Sequence, residues 1–246
     1  MNTKGVDVSA WQEGLDIKSI KDNGYSFAIL RGGFTHIGDG VTLEKDMCFE
    51  DFYNRAKEVD LPVGCYWYSC ANTYEKGKAE AEYMYEHCLK GKKFEYPIYI
   101  DVEESQYQEG NYDGVTAAIQ GFGDTLESKG YYVGIYASLS RFNTWFNGHK
   151  LWYTKWIACW SDEKPTTDYP DFGMWQNSSN GNVDGFRIDT DYAYLDFPSE
   201  IKRQGLNGYT KEPEPTPTPE PTPEPEKKPY KTFLVKVYEV ENDYIK

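Results

Sequence analysis

Two acidic residues, Asp101 and Glu103, close an apolar run near the middle of the chain, and their spacing suits acid–base chemistry. The run reads YPIYIDVE over residues 96–103. Because side chains alternate along a strand, both carboxyls lie on one face, with Cα atoms roughly 6.6 Å apart. Close carboxylates raise one another's proton affinity, so one can stay protonated as an acid while the other stays ionised. Two exposed acids at a strand end are the alternative interpretation.

Two further acids, Asp7 and Asp189, each interrupt a short β-like run. Asp7 lies in the segment GVDVS and Asp189 in the segment FRIDTD. Either acid, taken alone, could belong to a turn or a loop. Four acids at the strand ends of one fold instead predict a catalytic cluster, and paired carboxylates are the groups that hydrolyse glycosidic bonds.

Aromatic residues accompany these acids at the predicted strand ends. The chain is 17% Phe, Trp and Tyr, and flat rings stack on sugars as well as fill cores. Alternation along each strand sends about half of such side chains outward, against the helices. One amide, that of Gln176, also lies near the acids in the sequence. The side chains that we expect to contact a substrate are Trp11, Tyr66, Tyr68, Tyr136, Trp175 and Gln176.

Alternating β-like and helical runs must position these groups. Strand, helix and strand in succession imply parallel pairing with right-handed crossovers. The pattern predicts an α/β fold, an irregular (β/α) TIM-like barrel with fewer helices in its C-terminal half, whose functional groups collect at the carboxyl ends of the strands. The predicted strands are Gly5–Ala10, Phe27–Phe34, Val63–Ala71, Pro97–Glu103, Tyr132–Ala137, Trp156–Cys159, Phe172–Gln176 and Arg187–Asp191, and the predicted helices are Ile17–Asn23, Glu44–Val59, Glu75–Leu89 and Val115–Lys129.

Composition and charge exclude several other classes of function. The formal net charge of −14 leaves no basic footprint for nucleic acid. No apolar stretch reaches the length of a membrane span, so we expect no membrane insertion. The three histidines are scattered and the five cysteines show no CxxC spacing. We therefore expect no metal, no cofactor, mostly buried and reduced thiols, and a monomer.

A sharp change of composition near residue 212 divides the chain. Residues 213–229 read PEPTPTPEPTPEPEKKP, and proline fixes φ and lacks an N–H, so this run predicts an extended spacer. We predict a folded barrel over residues 1–210, which carries the acids, and a Pro/Glu/Thr-rich linker over residues 211–229. Residues 230–246 are either the start of a truncated C-terminal module or a tail.

Several short blocks follow one another in a fixed order along residues 4–197. They read GVDVSAWQ from Gly5, GCYWYS from Gly64, YIDVE from Tyr99, GIYAS from Gly134, WQNSS from Trp175, VDG from Val183 and IDTD from Ile188. In this order they resemble glycoside hydrolase family 25, the lysozymes of bacterial, phage and fungal origin. Each block is short, but the ordered set is specific.

The resemblance implies an irregular α/β barrel with N-acetylmuramidase activity, which cuts the β-1,4 bond from N-acetylmuramic acid to N-acetylglucosamine in peptidoglycan. By this likeness Glu103 is the general acid, and Asp101 assists by orienting the substrate's acetamido group. Asp7 and Asp189 complete an acidic floor. The family's last block usually reads D-x-N, whereas this chain reads D-T-D and ends on Asp191. Asp191 therefore joins the expected substrate contacts with its role open.

Two rival functions stay open beside this reading. A non-catalytic wall-binding barrel could keep the sugar groove without turnover. A chitinase-type hydrolase uses a related barrel, but such enzymes carry a longer acidic run before the final Glu. Three mechanisms are also possible, with a protein nucleophile, with inversion by water, or with the substrate's own acetamido oxygen as nucleophile. We expect the third, which retains the anomeric configuration.

The place of action follows from the same resemblance. The partner is the peptidoglycan glycan strand, so we expect an enzyme of the cell wall. The first residues, MNTK, lead directly into a strand and show no secretory leader. We expect either secretion after removal of a leader or release from the cytosol, as in phage-type bacteriolytic endolysins.

Overall fold

Nine β-strands form the framework of the computed structural model, which describes residues 2–146, 151–167, 169 and 172–211. These residues belong to one compact unit. Apart from Lys211, the predicted linker and tail lie outside the described residues. The strands are β1 (Thr3–Val8), β2 (Ala28–Thr35), β3 (Leu43–Lys45), β4 (Val63–Tyr68), β5 (Ile98–Asp101), β6 (Val133–Ser138), β7 (Thr154–Ala158), β8 (Phe172–Val183) and β9 (Phe186–Ala193).

Eight of these strands close into a barrel, which confirms the predicted fold. The order is β1-β9-β8-β7-β6-β5-β4-β2, and pairing of β1 with β2 closes the ring. The short β3 pairs antiparallel with the C-terminal part of β2, from Gly33 to Thr35, and lies outside the ring. Within the ring, neighbouring strands pair in parallel from β1 through β2, β4, β5, β6 and β7 to β8, as expected from the crossovers.

The last strand, β9, departs from the predicted parallel pairing and runs antiparallel to both β8 and β1. The link between β8 and β9 consists of Asp184 and Gly185, with φ angles of 52° and 89°. Two residues with positive φ make a tight hairpin turn, which leaves no room for a crossover helix. The hairpin also extends β8 to Val183, beyond its predicted end at Gln176.

Helices cover the outside of the barrel and, within the described residues, become fewer after β6, as predicted. None of the helices within the described ranges is long and apolar enough to cross a membrane. A π-helical turn over Tyr85–Leu89 extends the third helix. The helices are α1 (Ile17–Asp22), α2 (Phe49–Glu58), α3 (Tyr74–Met84), α4 (Ser105–Gln108), α5 (Tyr112–Ser128), α6 (Leu139–Thr144) and α7 (Phe197–Gln204).

The helix predicted to begin at Glu44 begins instead at Phe49. The preceding residues pair with β2, where Lys45 lies opposite Gly33. The backbone N–H of Asp46 then donates to the carbonyl of Gly32 at 2.9 Å. These strand contacts use backbone groups that a helix would need, so tertiary pairing overrides the local helical pattern.

Large aromatic side chains fill the interior of the barrel. Phe27 stacks on Tyr96 with ring centroids 4.2 Å apart, and Trp156 lies 5.1 Å from Tyr99 and 4.5 Å from Tyr136. Alternation along β5 sends Tyr99 inward, into this interior cluster, and Ile98 and Ile100 outward, into the layer under the helices. Part of the high aromatic content is therefore core.

Tight packing around Tyr99 yields a test of this interior. A Cβ added at Gly134 would lie 2.3 Å from the Tyr99 ring, whereas one added at Gly38 would meet nothing within 4 Å. We expect Gly134→Ala to lower the free energy of unfolding by about 1–3 kcal/mol through overpacking. Gly38→Ala is the control and should change it little. Equal urea midpoints for the two variants would contradict this packing.

Candidate active site

A cleft of about 220 Å³ opens at the carboxyl ends of the barrel strands, and we call it the acid pocket. All four acids predicted to be catalytic line it. A larger hollow of about 560 Å³ lies beside it, has mainly apolar walls and contains none of these acids. The acid pocket is lined by Asp7, Trp11, Arg31, Tyr66, Tyr68, Asp101, Glu103, Tyr136, Trp156, Gln176 and Asp189.

Asp101 and Glu103 enter this pocket from one strand end but in different environments. Asp101 is the last residue of β5 and is 4% exposed, while Glu103 follows the strand and is half-buried. Burial raises the pKa of Asp101 well above its usual range, and the charges of Glu103 and Asp7 raise it further. Burial also raises the pKa of Glu103. Both carboxyls therefore hold protons more tightly than they would in water.

Pairing of β1 with β9 sets Asp7 directly opposite Asp189. The amide of Gln176 bridges them, since its Nε2 donates to Asp7 Oδ2 at 2.8 Å and to Asp189 Oδ2 at 3.3 Å. Its Oε1 accepts from the Tyr136 hydroxyl at 2.9 Å and from Trp160 Nε1 at 3.1 Å. Both ends of the amide are thus used, which fixes its orientation between the two acids.

Exposed indoles stand at the rim of the pocket. Trp11 lines it and is 84% exposed. Trp160, which sequence reasoning missed, is 63% exposed and reaches the pocket through its hydrogen bond to Gln176. Its position two residues after the end of β7 was the available signal, because functional groups gather at such ends. Two accessible ring faces beside the acids suit sugar stacking.

Trp175 lies outside the pocket, contrary to expectation. It is 4% exposed, stacks on Tyr192 at 5.7 Å, and donates from Nε1 to the carbonyl of Cys159 at 2.8 Å. Its neighbour Gln176 faces the pocket, so alternation along β8 turns Trp175 to the other face. Trp175 therefore packs between strands and does not line the acid pocket.

Comparison with known proteins identifies the family. Residues 6–186 match the family described as glycosyl hydrolases family 25. The chain belongs to that family. It is 28% identical over 182 residues to the autolytic lysozyme of Clostridium acetobutylicum, covering 74% of this chain and 52% of that relative.

Solved structures of family 25 share the barrel. The lysozyme of Streptomyces coelicolor has a TM-score of 0.66 at 24% identity, covering 78% of this chain and 92% of that one. The CTP1L endolysin has a TM-score of 0.68 at 23% identity, covering 81% and 69%. This chain spans about half the length of the clostridial relative. The match over residues 6–186 establishes the family, and the solved structures show the fold.

Asp191, which stands where family 25 usually has an Asn, lies behind Asp7 rather than on the pocket surface. It is buried, and its Oδ1 accepts from Trp156 Nε1 at 2.8 Å. Burial and the charge of Asp7 raise the pKa of Asp191 well above its usual range. Burial and the charge of Asp189 likewise raise the pKa of Asp7 well above its usual range. Because burial and like charge both oppose ionisation, these neighbouring carboxyls hold their protons more tightly than they would in water.

Two arginines, also missed by sequence reasoning, face the acids. Arg141 on α6 donates from Nη2 to the Glu103 carbonyl at 2.9 Å. Its charge lowers the pKa of both Glu103 and Asp101, against the effect of burial. Arg31 on β2 reaches the pocket while its Nε donates to Asp46 Oδ2 at 2.6 Å. Arg31 lies in a strand and Arg141 in a helix, and the hydrophobic pattern of either segment does not distinguish them from ordinary surface charges.

The electrostatic role of Arg141 can be tested directly. Arg141→Met removes a cation that favours the ionised form of Glu103, so the pKa of Glu103 should rise. Carboxyl ¹³C NMR titration measures that pKa. Arg203→Met, on α7 and paired with Glu200, is the control and should leave it unchanged. A Glu103 pKa that stays constant or falls in Arg141→Met would contradict the assignment.

Proposed function

We propose that this protein is a peptidoglycan hydrolase that cleaves the β-1,4 bond from N-acetylmuramic acid to N-acetylglucosamine. Glu103 serves as general acid and Asp101 assists it. The observation that carries the proposal is the unequal setting of these two carboxyls on one strand end. Glu103 is accessible in a pocket whose environment raises its pKa, while Asp101 lies deeper. Family membership and the name of the clostridial relative, an autolytic lysozyme, support the substrate class.

The geometry suits a reaction in which the substrate supplies the nucleophile. Oδ1 of Asp101 is buried and has no hydrogen-bond partner among the described residues. A substrate acetamido N–H would satisfy it, and a buried acceptor without a donor is otherwise costly. An acetamido group held in this way presents its carbonyl oxygen to the anomeric carbon.

The steps then follow with balanced bonds. Glu103 protonates the glycosidic oxygen, the bond from that oxygen to the anomeric carbon breaks, and the acetamido oxygen bonds to the carbon. Water, deprotonated by the Glu103 carboxylate, then opens the cyclic intermediate from the other side. Asp7 and Asp189 complete the acidic lining of the pocket in which both steps take place. Trp11, Trp160, Tyr66, Tyr68, Tyr136 and Gln176 hold the sugars.

Loss of the acid gives the first test. Glu103→Gln should lower the rate of clearing of purified cell walls on the order of 10²–10⁴-fold, because the proton donor is lost. Glu109→Gln, an exposed acid outside the pocket, should clear walls at the wild-type rate. Mass spectrometry of the digest should show N-acetylmuramic acid at the new reducing ends.

Other results of these experiments would reject the assignment. Equal clearing by wild type and Glu103→Gln would exclude Glu103 as the acid, whereas no clearing by either would favour a wall-binding barrel. Reducing ends of N-acetylglucosamine, or faster cleavage of chitin oligomers than of peptidoglycan, would favour a chitinase-type hydrolase.

The stereochemical outcome tests the mechanism separately. A nucleophile from the substrate or the enzyme gives retention, whereas direct attack by water gives inversion. We expect ¹H NMR of the first-formed product to show the β-anomer before mutarotation. Early α-anomer would rule out acetamido participation.

A further inference from the structure

The buried carboxylate of Glu80, on α3, lies outside the acid pocket and takes no part in the proposed reaction steps. It is 2% exposed. Its Oε1 accepts from Thr35 Oγ1 at 2.6 Å and from the Cys70 N–H at 3.1 Å, and its Oε2 accepts from Ser69 Oγ at 2.6 Å. Burial raises the pKa of Glu80 to about 7. A carboxylate in such a place is costly unless donors surround it.

These donors belong to the carboxyl ends of two neighbouring barrel strands. Thr35 ends β2 and Ser69 follows β4. Both hydroxyls also accept hydrogen bonds, Thr35 Oγ1 from Trp67 Nε1 at 3.2 Å and Ser69 Oγ from the Ala71 N–H at 3.0 Å. Each hydroxyl is therefore fixed in direction, and Glu80 ties the two strand ends to α3.

Gln108, at the end of α4, holds the same segment from the other side. It is fully buried. Its Nε2 donates to the carbonyls of Ser69 at 3.1 Å and Ala71 at 3.2 Å. Its Oε1 accepts from the N–H of Glu104, next to Glu103, at 2.9 Å. One amide thus joins the end of β4 to the loop that carries the general acid.

Two more hydrogen bonds connect this network to the catalytic strand itself. The Ser69 N–H donates to the carbonyl of Asp101 at 3.0 Å. The Tyr68 hydroxyl donates to Glu104 Oε2 at 2.8 Å. Neither Glu80 nor Gln108 lines the acid pocket, so neither contacts the space in which a substrate would bind.

We propose that Glu80 and Gln108 form a buried brace that positions Asp101 and Glu103 for the proposed reaction. Apolar side chains of similar size would fill the same volume but would not fix the direction of the two strand ends. Displacement of reacting groups by about 1 Å costs roughly 10²-fold in rate. The proposal rests on the proposed function, because turnover is one of its two readouts.

The experiment compares Glu80→Gln and Gln108→Leu with the wild type on a soluble peptidoglycan fragment. Each variant should lower kcat by roughly 10- to 100-fold, because the catalytic carboxyls lose their alignment. KM should stay near the wild-type value, since the pocket walls are unchanged. The double variant should lose little more than either single variant, because both act on one segment.

Asn207→Ala is the matched control for loss of stability. Asn207 is also a buried polar residue, but it joins the opposite end of the barrel, where its Nδ2 donates to the Tyr96 carbonyl at 2.9 Å and its Oδ1 accepts from the Tyr132 N–H at 2.7 Å. Measured well below the unfolding temperature, this variant should keep the wild-type kcat. An equal fall of kcat in Asn207→Ala and Glu80→Gln would overturn the brace.

A second readout does not require turnover. Carboxyl ¹³C NMR titration of Glu103 should show a changed pKa in Glu80→Gln and Gln108→Leu, and an unchanged one in Asn207→Ala. An unchanged Glu103 titration together with an unchanged kcat, or a loss confined to KM, would overturn the proposal. A wild type that cleaves no peptidoglycan rejects the proposed function, while the titration still decides the brace. If Glu80→Gln fails to fold, Gln108→Leu carries both measurements.

Discussion

The chemistry of the cleft depends on one constraint, which is that several carboxyls lie close together above buried aromatic rings. Asp101 and Asp7 lie above Tyr99, Tyr136 and Trp156, which fill the barrel and keep water from beneath the acids. Carboxylates in such a place can stay ionised only where a donor or a cation faces them. Burial outweighs the donors and cations that face these acids, so the pKa of every acid in the cluster is raised. Retained protons are what acid catalysis requires.

Closure of the barrel supplies the other half of this arrangement. A parallel last strand would need a crossover after β8, whereas the hairpin returns β9 at once and inserts it beside β1. That antiparallel register places Asp189 against Asp7 and brings Asp191 behind them. The hairpin between β8 and β9 therefore makes the barrel irregular and also brings these acids close together.

Strand alternation in the sequence was sufficient to place the main acids on one face. Asp101 and Glu103 follow an inward-pointing Tyr99, and Gln176 reaches the same pocket. The same rule sends Trp175 outward, but choosing between adjacent residues requires knowledge of which face is the interior.

Contacts between distant segments could not be predicted from periodicity. Arg141 and Glu80 lie on helices, and the sequence pattern of each helix does not reveal what these charged side chains contact. Their partners, the Glu103 carbonyl and the Ser69 hydroxyl, become neighbours only when the barrel closes. The antiparallel β9 depends likewise on a two-residue turn that a helix-and-strand alternation does not reveal.

Two indole N–H groups end on the carboxyl cluster and its bridging amide, Trp156 on Asp191 and Trp160 on Gln176. Indole emission responds to the charge and polarity around the ring, so the ionisation of the cluster is coupled to an optical signal native to the protein. Trp156 is buried and Trp160 exposed, which gives the two rings different access to a soluble quencher. The protein thus contains its own spectroscopic probe of the protons on which its chemistry depends.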